Sequence, residues 1–392
     1  MQSTLGTTVK DFREPRQPRG ALPFDPLLVL AALGLICFSI VVLKSATADD
    51  IAGDKLYYVY RQVAYGIVGI ALMMVLSRFD YSRAREWKAG VYGAMIGAIL
   101  LTFALGFSAR GSKRAINLGF INLQPSELGK VLLIVALSGF VVDRIRRLNE
   151  VETTSRIILL ALIPSMLVVA QPDLGSGMVY LAIAVAVLFV AGTKWTHFAA
   201  LGVLATTAIL LVMVVAPKAG VHVLKQYQVD RLTAFMHPTD NPREQGYQIN
   251  QSLTAIGSGG KSGRGDQATQ TKLNFLPEHH TDFIFSVVGE EYGFVGAALV
   301  LSLYALMIWR ALRILTMSKN LFGALLAGGV TAMLMFQVFV NVGMTIGIMP
   351  ITGVPLPLMS YGGSSVLVTF MALGLLQAIY AQARQTARAK GL

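Results

Sequence analysis

The chain has 392 residues, 54% of them hydrophobic and only 14% charged, with a mean hydropathy of +0.61. A soluble domain carries roughly a quarter charged residues, so the composition excludes a soluble enzyme and fits a polytopic membrane protein. The net charge of +12 would suggest nucleic acid in a soluble chain, but set between apolar runs it reports membrane orientation, and no nucleic-acid partner is expected.

Residues 1–25 are polar and basic, with Lys10, Arg13, Arg16 and Arg19 among Pro15, Pro18 and Gly20. They read as a cytoplasmic tail before an uncleaved first span rather than as a signal peptide. Apolar runs follow at 26–44, 59–77, 89–107, 128–143, 157–171, 174–192, 196–216, 283–309, 322–347 and 364–383. Each is near the ~20 residues that a helix needs to cross a bilayer. The single cysteine, Cys37, lies in the first run, so there is no disulfide framework.

Alternate connections carry the basic residues: Arg78, Arg83, Arg85 and Lys88, then Arg144, Arg146, Arg147 and Arg156, then Lys194, then Arg310, Arg313 and Lys319. The positive-inside rule makes these cytoplasmic, along with both termini. The opposite side holds only Lys44, Lys55, Arg61, Arg110, Lys113 and Arg114 in its short loops. The expectation is an all-α integral membrane protein of about ten transmembrane helices. It is one membrane domain, 26–383, with a C-terminal tail, 384–392. A long extracytoplasmic loop, 217–282, separates spans seven and eight, and a connection of that length is usually functional. No strand alternation or internal repeat stands out.

Chemistry concentrates at Leu276–Gly296, LPEHHTDFIFSVVGEEYGFVG. Asp282 is expected in the first turn of a membrane-spanning helix, on the outer side. An ionisable group at the lip of the hydrocarbon marks a site by default. Unpaired amides at the helix start favour its charge and partial burial opposes it, which leaves it suited to accept a proton. His279 and His280 adjoin it, without the i,i+4 histidine pair or second cluster that zinc ligation would want. Glu290 and Glu291 lie roughly 12 Å deeper. One is expected to support helix packing through a polar partner, the other to face an internal cavity.

Other motifs admit two readings each. The loop Arg110–Lys130 places Arg110, Lys113 and Arg114 where basic residues are disfavoured, which an anionic lipid headgroup or pyrophosphate would explain. Pro125 suits the first turn of the next helix, with Gln124 or Ser126 as cap. Glu127 and Lys130, i,i+3 neighbours, either pair structurally or line a cavity. Asp173, after Pro172, either caps a helix or contacts substrate. Arg231, beside Tyr227 and Asp230, is either solvated or a phosphate ligand. Asp49, Asp50 and Asp54 resemble a Mg²⁺-binding cluster but read better as a solvated loop. Ala255–Ser262 fits a relaxed phosphate-loop pattern without the parallel sheet it requires, so a mobile glycine-rich turn is expected instead. The segment Gly347–Ser365 is rich in proline and glycine. It should re-enter the membrane or seal a cavity floor, bringing Ser360, Gly362, Gly363 and Ser364 to the site.

Four stretches in this order, RGSKRAINLGFINLQPSELGK, QPDLGS, LPEHHTDFIFSVVGEEYGFVG and GIMPITGVPLPLMSYGGSS, resemble the SEDS family (shape, elongation, division and sporulation) of bacterial cell-wall glycosyltransferases. QGYQINQSLTAIGSGG and LNFLPEHHTDFIF look closer to its rod-shape members than to its division members. The resemblance implies polymerisation of lipid II, an undecaprenyl-pyrophosphate-linked disaccharide pentapeptide, at the outer face of the bacterial cytoplasmic membrane. It also implies a class B penicillin-binding protein as partner within an elongation complex. The family's essential aspartate matches Asp282, its basic loop residue Arg114, and its QPSE-K motif Glu127 and Lys130. The chain departs at Ala115 and Asn117, where the family usually has an aromatic and an acidic residue. No tightly bound cofactor is implied; a divalent cation, Mg²⁺ or Mn²⁺, stays open. A lipid II flippase and a membrane scaffold for the transpeptidase are the rival classes. The first would carry polar groups through to the inner leaflet, and the second leaves an intramembrane carboxylate unexplained.

Overall fold

A computed structural model describes residues 24–47, 54–105, 107–109, 112–117, 119, 122–212 and 245–389. They are nearly all helical. In order they form α1 (Pro26–Ala46), α2 (Tyr57–Ser77), α3 (Lys88–Leu105), β1 (Phe107–Ala109), β2 (Ser112–Asn117), β3 (Asn122–Leu123) and α4 (Pro125–Asp143). There follow α5 (Val151–Ala170), α6 (Leu174–Val190), α7 (Trp195–Leu210), α8 (Gln245–Gly259), the single turn α9 (Thr269–Lys272), α10 (Ile284–Met317), α11 (Leu321–Thr345) and α12 (Gly363–Ala389). Seven helices, α1, α2, α4, α5, α10, α11 and α12, are long and apolar enough to cross a membrane, and α3, α6 and α7 are shorter apolar helices. The chain is a multi-pass membrane protein.

Helix starts follow local chemistry. Asp25 caps α1, accepting from the amides of Leu27 and Leu28 at 3.1 Å, with Pro26 in the first turn where no amide is needed. The same carboxylate, fully buried, receives Arg310 Nε of α10 at 2.8 Å, and Gln377 of α12 donates to and accepts from the Asp25 backbone. Three helices are thereby tied together at one end. The core runs through the bundle: α12 packs along α2, α6 against α5 and α11, and α1 and α8 against α10.

Three expectations change here. The loop before α4 contains a small antiparallel sheet, β1 with β2 and β2 with β3, where no strand was expected. Strands of two to six residues are too short for a period-two pattern to register. The glycine-rich turn after α8 is not a mobile loop. At Gly293 (φ 62°, ψ −156°) α10 breaks, and the turn fills the break. The carbonyls of Gly260 and Lys261 accept from the amides of Phe294 and Val295 at 2.9 and 3.1 Å, and Arg264 N donates to Glu290 O at 2.8 Å. A phosphate-binding role lacks a parallel sheet among the described residues, and this backbone is already bonded to α10. Finally, α10 begins at Ile284, so Asp282 stands in the turn before the helix rather than in its first turn.

Candidate active site

One cavity of about 510 Å³ gathers seven of the expected site residues. Glu127, Asp173, His280, Asp282, Gly362, Gly363 and Ser364 all line it, although they come from positions more than two hundred residues apart. Two more backbone segments close it, around Ala115 and Gly353.

Asp282 is half-buried and is held through its backbone. Asn341 of α11 donates from Nδ2 to the Asp282 carbonyl at 2.9 Å and to the Val354 carbonyl at 2.8 Å, clamping the turn to the proline-rich segment. The neighbouring residues are fixed the same way. Ser360 Oγ donates to Thr281 O at 2.6 Å and accepts from Leu356 N at 2.8 Å, while Tyr361 N donates to His280 O at 2.9 Å. Ser39 of α1 and Tyr304 of α10 in turn bond the carbonyls of Met359 and Pro357. Irregular backbone at this depth thus has its polar groups met by protein. Gly353, at φ 73°, passes so close that a β-carbon there would lie 3.5 Å from Asp282 Oδ2. Ser360 is therefore a brace, buried and absent from the cavity wall, not a substrate contact.

On the facing side, Pro125 takes the first position of α4, but neither Gln124 nor Ser126 caps it. Both instead donate to Asp173 Oδ2, at 3.0 and 3.2 Å, while Asp173 Oδ1 accepts from Ser176 N at 3.0 Å and caps α6. Asp173 is both a cap and a cavity residue. Glu127 and Lys130 pair at 2.5 Å with Lys130 fully buried, so both readings of that pair hold for Glu127, while Lys130 does not reach the cavity. Ser364 Oγ donates to Asn122 O at 2.7 Å and accepts from Gln124 N at 2.9 Å, joining the end of the small sheet to α12.

Deeper in α10, Glu290 accepts from Gln270 N, Thr271 N and Thr271 Oγ1 at 2.7–3.0 Å, which makes it the packing carboxylate. Glu291 is buried beside it, and neither lines the cavity. Arg110 and Arg231, with Tyr227, Asp230, Asp49 and Asp50, lie outside the described residues. Lys113 and Arg114 sit on β2, and the described structure extends to their backbone only.

The cavity also holds a cation and an aromatic set that the sequence reading passed over: Tyr57, Tyr58, Arg61 and Tyr65 of α2, and Tyr361. The Arg61 guanidinium lies 4.5 Å from the Tyr57 ring centre and is hydrogen-bonded to Tyr361. Burial raises the Tyr361 hydroxyl above its ordinary range, so it stays protonated at neutral pH. Tyr58 packs against His280 with ring centres 4.7 Å apart and planes tilted by 38°, and meets Tyr361 edge-on at 4.8 Å. Arg61 was legible in principle, since an arginine four residues inside an apolar helix is itself a site signal. No three His, Cys, Asp or Glu side chains among the described residues converge to hold a metal ion.

A half-buried carboxylate, an arginine and closely packed aromatics line a cavity in an apolar helical bundle, the setting of a membrane enzyme. The comparisons with known proteins narrow the class. Residues 22–385 match the FtsW/RodA/SpoVE cell cycle protein family, and the chain belongs to it. The chain is 35% identical over 357 residues to the peptidoglycan glycosyltransferase MrdB of Escherichia coli, covering 91% of this chain and 93% of that one. It is 37% identical over 384 residues to the probable peptidoglycan glycosyltransferase FtsW of Thioalkalivibrio sulfidiphilus, covering 95% and 93%. Among solved structures it is similar to a chain from a peptidoglycan synthase complex that coordinates polymerisation and crosslinking. There the TM-score is 0.76 at 30% identity, covering 93% of this chain and 99% of that one.

Proposed function

We propose that this chain is a peptidoglycan glycosyltransferase that polymerises lipid II into β-1,4-linked glycan at the outer face of the bacterial cytoplasmic membrane, in the elongation role of the rod-shape members. The observation that carries the reading is the placement of Asp282 on a polar cavity shared with Arg61, inside an apolar bundle. Joining two sugars needs a hydroxyl made nucleophilic and a pyrophosphate made stable as it leaves. Asp282 takes the proton of the acceptor's GlcNAc 4-hydroxyl as that oxygen attacks the anomeric carbon of the donor MurNAc. The C–O bond to the pyrophosphate breaks, and single displacement on an α-linked donor gives the β product with inversion. Undecaprenyl pyrophosphate leaves, its charge met by Arg61 and by the basic positions Arg110, Lys113, Arg114 and Arg231. The membrane domain spans 26–383 with both termini cytoplasmic. A class B penicillin-binding protein, the natural consumer of an uncrosslinked strand, is the partner, in keeping with the synthase complex that the chain resembles.

General-base assistance is worth ~10²–10⁴-fold. Purified Asp282→Asn, with and without the partner and Mg²⁺ or Mn²⁺, should therefore lose polymer formation from lipid II by that factor while remaining folded. Polymer at the wild-type rate from a well-folded Asp282→Asn protein would overturn the assignment.

A further inference from the structure

At the end of the bundle opposite the cavity, α4 stops at Asp143 and the chain turns through Ile145–Arg147 before α5 begins. The nineteen residues of α4 put this turn roughly 28 Å from Pro125 at the cavity. A hollow of about 320 Å³ opens between the two helices, lined by Phe140 and Arg144 on one side and by Arg156, Ile157, Leu160 and Ile163 on the other. Its chemistry divides along its length. Arg144 and Arg156 lie toward the turn, while Ile157, Leu160 and Ile163 recede along α5 at helical spacing. Leu159 and Ile163 of the hollow's wall and Met166 beyond them are exposed and apolar, as a lipid-facing surface should be.

A second hollow of about 560 Å³ shares Arg144 and adds Arg85, Arg146 and Arg147. Cations here outnumber the carboxylates that meet them. Asp143 takes both Arg85 at 2.9 Å and Lys88 at 2.7 Å, and Glu152 takes Arg156. Among the described residues, Arg144, Arg146 and Arg147 have no carboxylate within ion-pair distance.

We propose that the hollow between α4 and α5 binds an anionic glycerophospholipid, with its phosphodiester held by Arg144 and Arg156 and one acyl chain lying along Ile157, Leu160 and Ile163. Guanidinium groups match the geometry of phosphate oxygens, and basic pockets between membrane helices select anionic headgroups on this principle. Arg156 has donors to spare beyond its bond to Glu152. A soluble phosphate would leave the apolar wall unused. A zwitterionic lipid would bring its own cation against the arginines. Only a ligand with an anionic head and a hydrocarbon tail satisfies both halves of the hollow.

The test uses the full chain in nanodiscs of mixed phosphatidylglycerol and phosphatidylcholine, with retained lipids counted by native mass spectrometry. Wild type should keep phosphatidylglycerol selectively. The double variant Arg144→Gln/Arg156→Gln should lose that retention by roughly 30-fold, the equivalent of about 1 kcal/mol for each arginine. Ile163→Trp keeps every charge but obstructs the apolar wall, and should also lower retention. Arg313→Gln removes an exposed basic residue elsewhere and should change nothing. Wild-type retention in the double variant would overturn the site. So would unchanged retention in Ile163→Trp, or an equal loss in Arg313→Gln, since either means diffuse charge attraction without a seated lipid. Circular dichroism of each variant in the same discs confirms that the bundle is intact.

Discussion

The ion pair of Glu127 and Lys130 shows how one residue can belong to the fold and to the site. A fully buried lysine is tolerated only because a carboxylate lies 2.5 Å away. Removing one partner leaves an uncompensated buried charge, at a cost of ~3–5 kcal/mol, while removing both in favour of similar shapes costs far less. Lys130→Ala should therefore lower the thermal midpoint of the purified protein sharply, and the double variant Glu127→Gln/Lys130→Met should recover most of the loss. Glycan synthesis should stay impaired in the recovered protein, because Glu127 lines the cavity. Full activity in the stable double variant would reduce the pair to a packing device. Residues of this kind were legible in the sequence because a charge at the edge of an apolar run announces itself, as Asp282, Glu127 and Asp173 all did. Arg61 was equally conspicuous by that criterion. Its setting hid it: beside Tyr57 and Tyr58, at the start of a run, it counted as one more basic residue of an outer loop. Ser360 failed for the opposite reason, since nothing in a serine's neighbours tells whether its hydroxyl faces a cavity or two carbonyls.

Among elements, the apolar runs marked the seven long apolar helices and the three shorter ones well because their signal is additive over many residues. What escaped was the relation between α10 and the turn after α8. Gly293 breaks α10, and the turn after α8 satisfies the amides so exposed, but the turn lies about thirty residues away in sequence and looks like an ordinary flexible loop. The contact demands glycine on both sides. Gly263 has φ +83°, and a β-carbon there would sit 2.1 Å from Glu291 O, backbone that cannot swing aside. Gly263→Ala should combine left-handed strain with overlap and destabilise the protein by about 2–5 kcal/mol. Hydrogen exchange should localise the change, with faster exchange at Phe294 and Val295, whose amides the turn holds. Unaltered protection at those two amides would mean that α10 carries its own break. The small sheet centred on β2 was illegible for a related reason: its strands are too short for sequence to mark and are defined by pairing with each other.

For the whole molecule, orientation rests on charge. The basic turns after α2, α4 and α10 lie at the end where Asp25, Arg310 and Gln377 tie three helices together, and the cavity lies at the other. The positive-inside rule predicts that the basic end lies in the cytoplasm, where charged loops are retained. With that orientation the proposed lipid II polymerisation would have an outward mouth, and the proposed anionic-lipid hollow would face the inner leaflet. Both inferences stand on the same asymmetry, which a labelling experiment can read directly. Replacing Cys37, the only cysteine, with alanine yields a silent background. Lys55→Cys and Glu86→Cys then place exposed thiols before and after α2, so that they lie on opposite sides if that helix spans. A membrane-impermeant maleimide added to intact spheroplasts should label Lys55→Cys within minutes and leave Glu86→Cys unlabelled until the membrane is opened. The reverse pattern would turn the cavity toward the cytoplasm and remove the polymerase reading along with the inner-leaflet lipid. Equal labelling of both would show that α2, whose Arg61 and three tyrosines line the cavity, does not cross the bilayer.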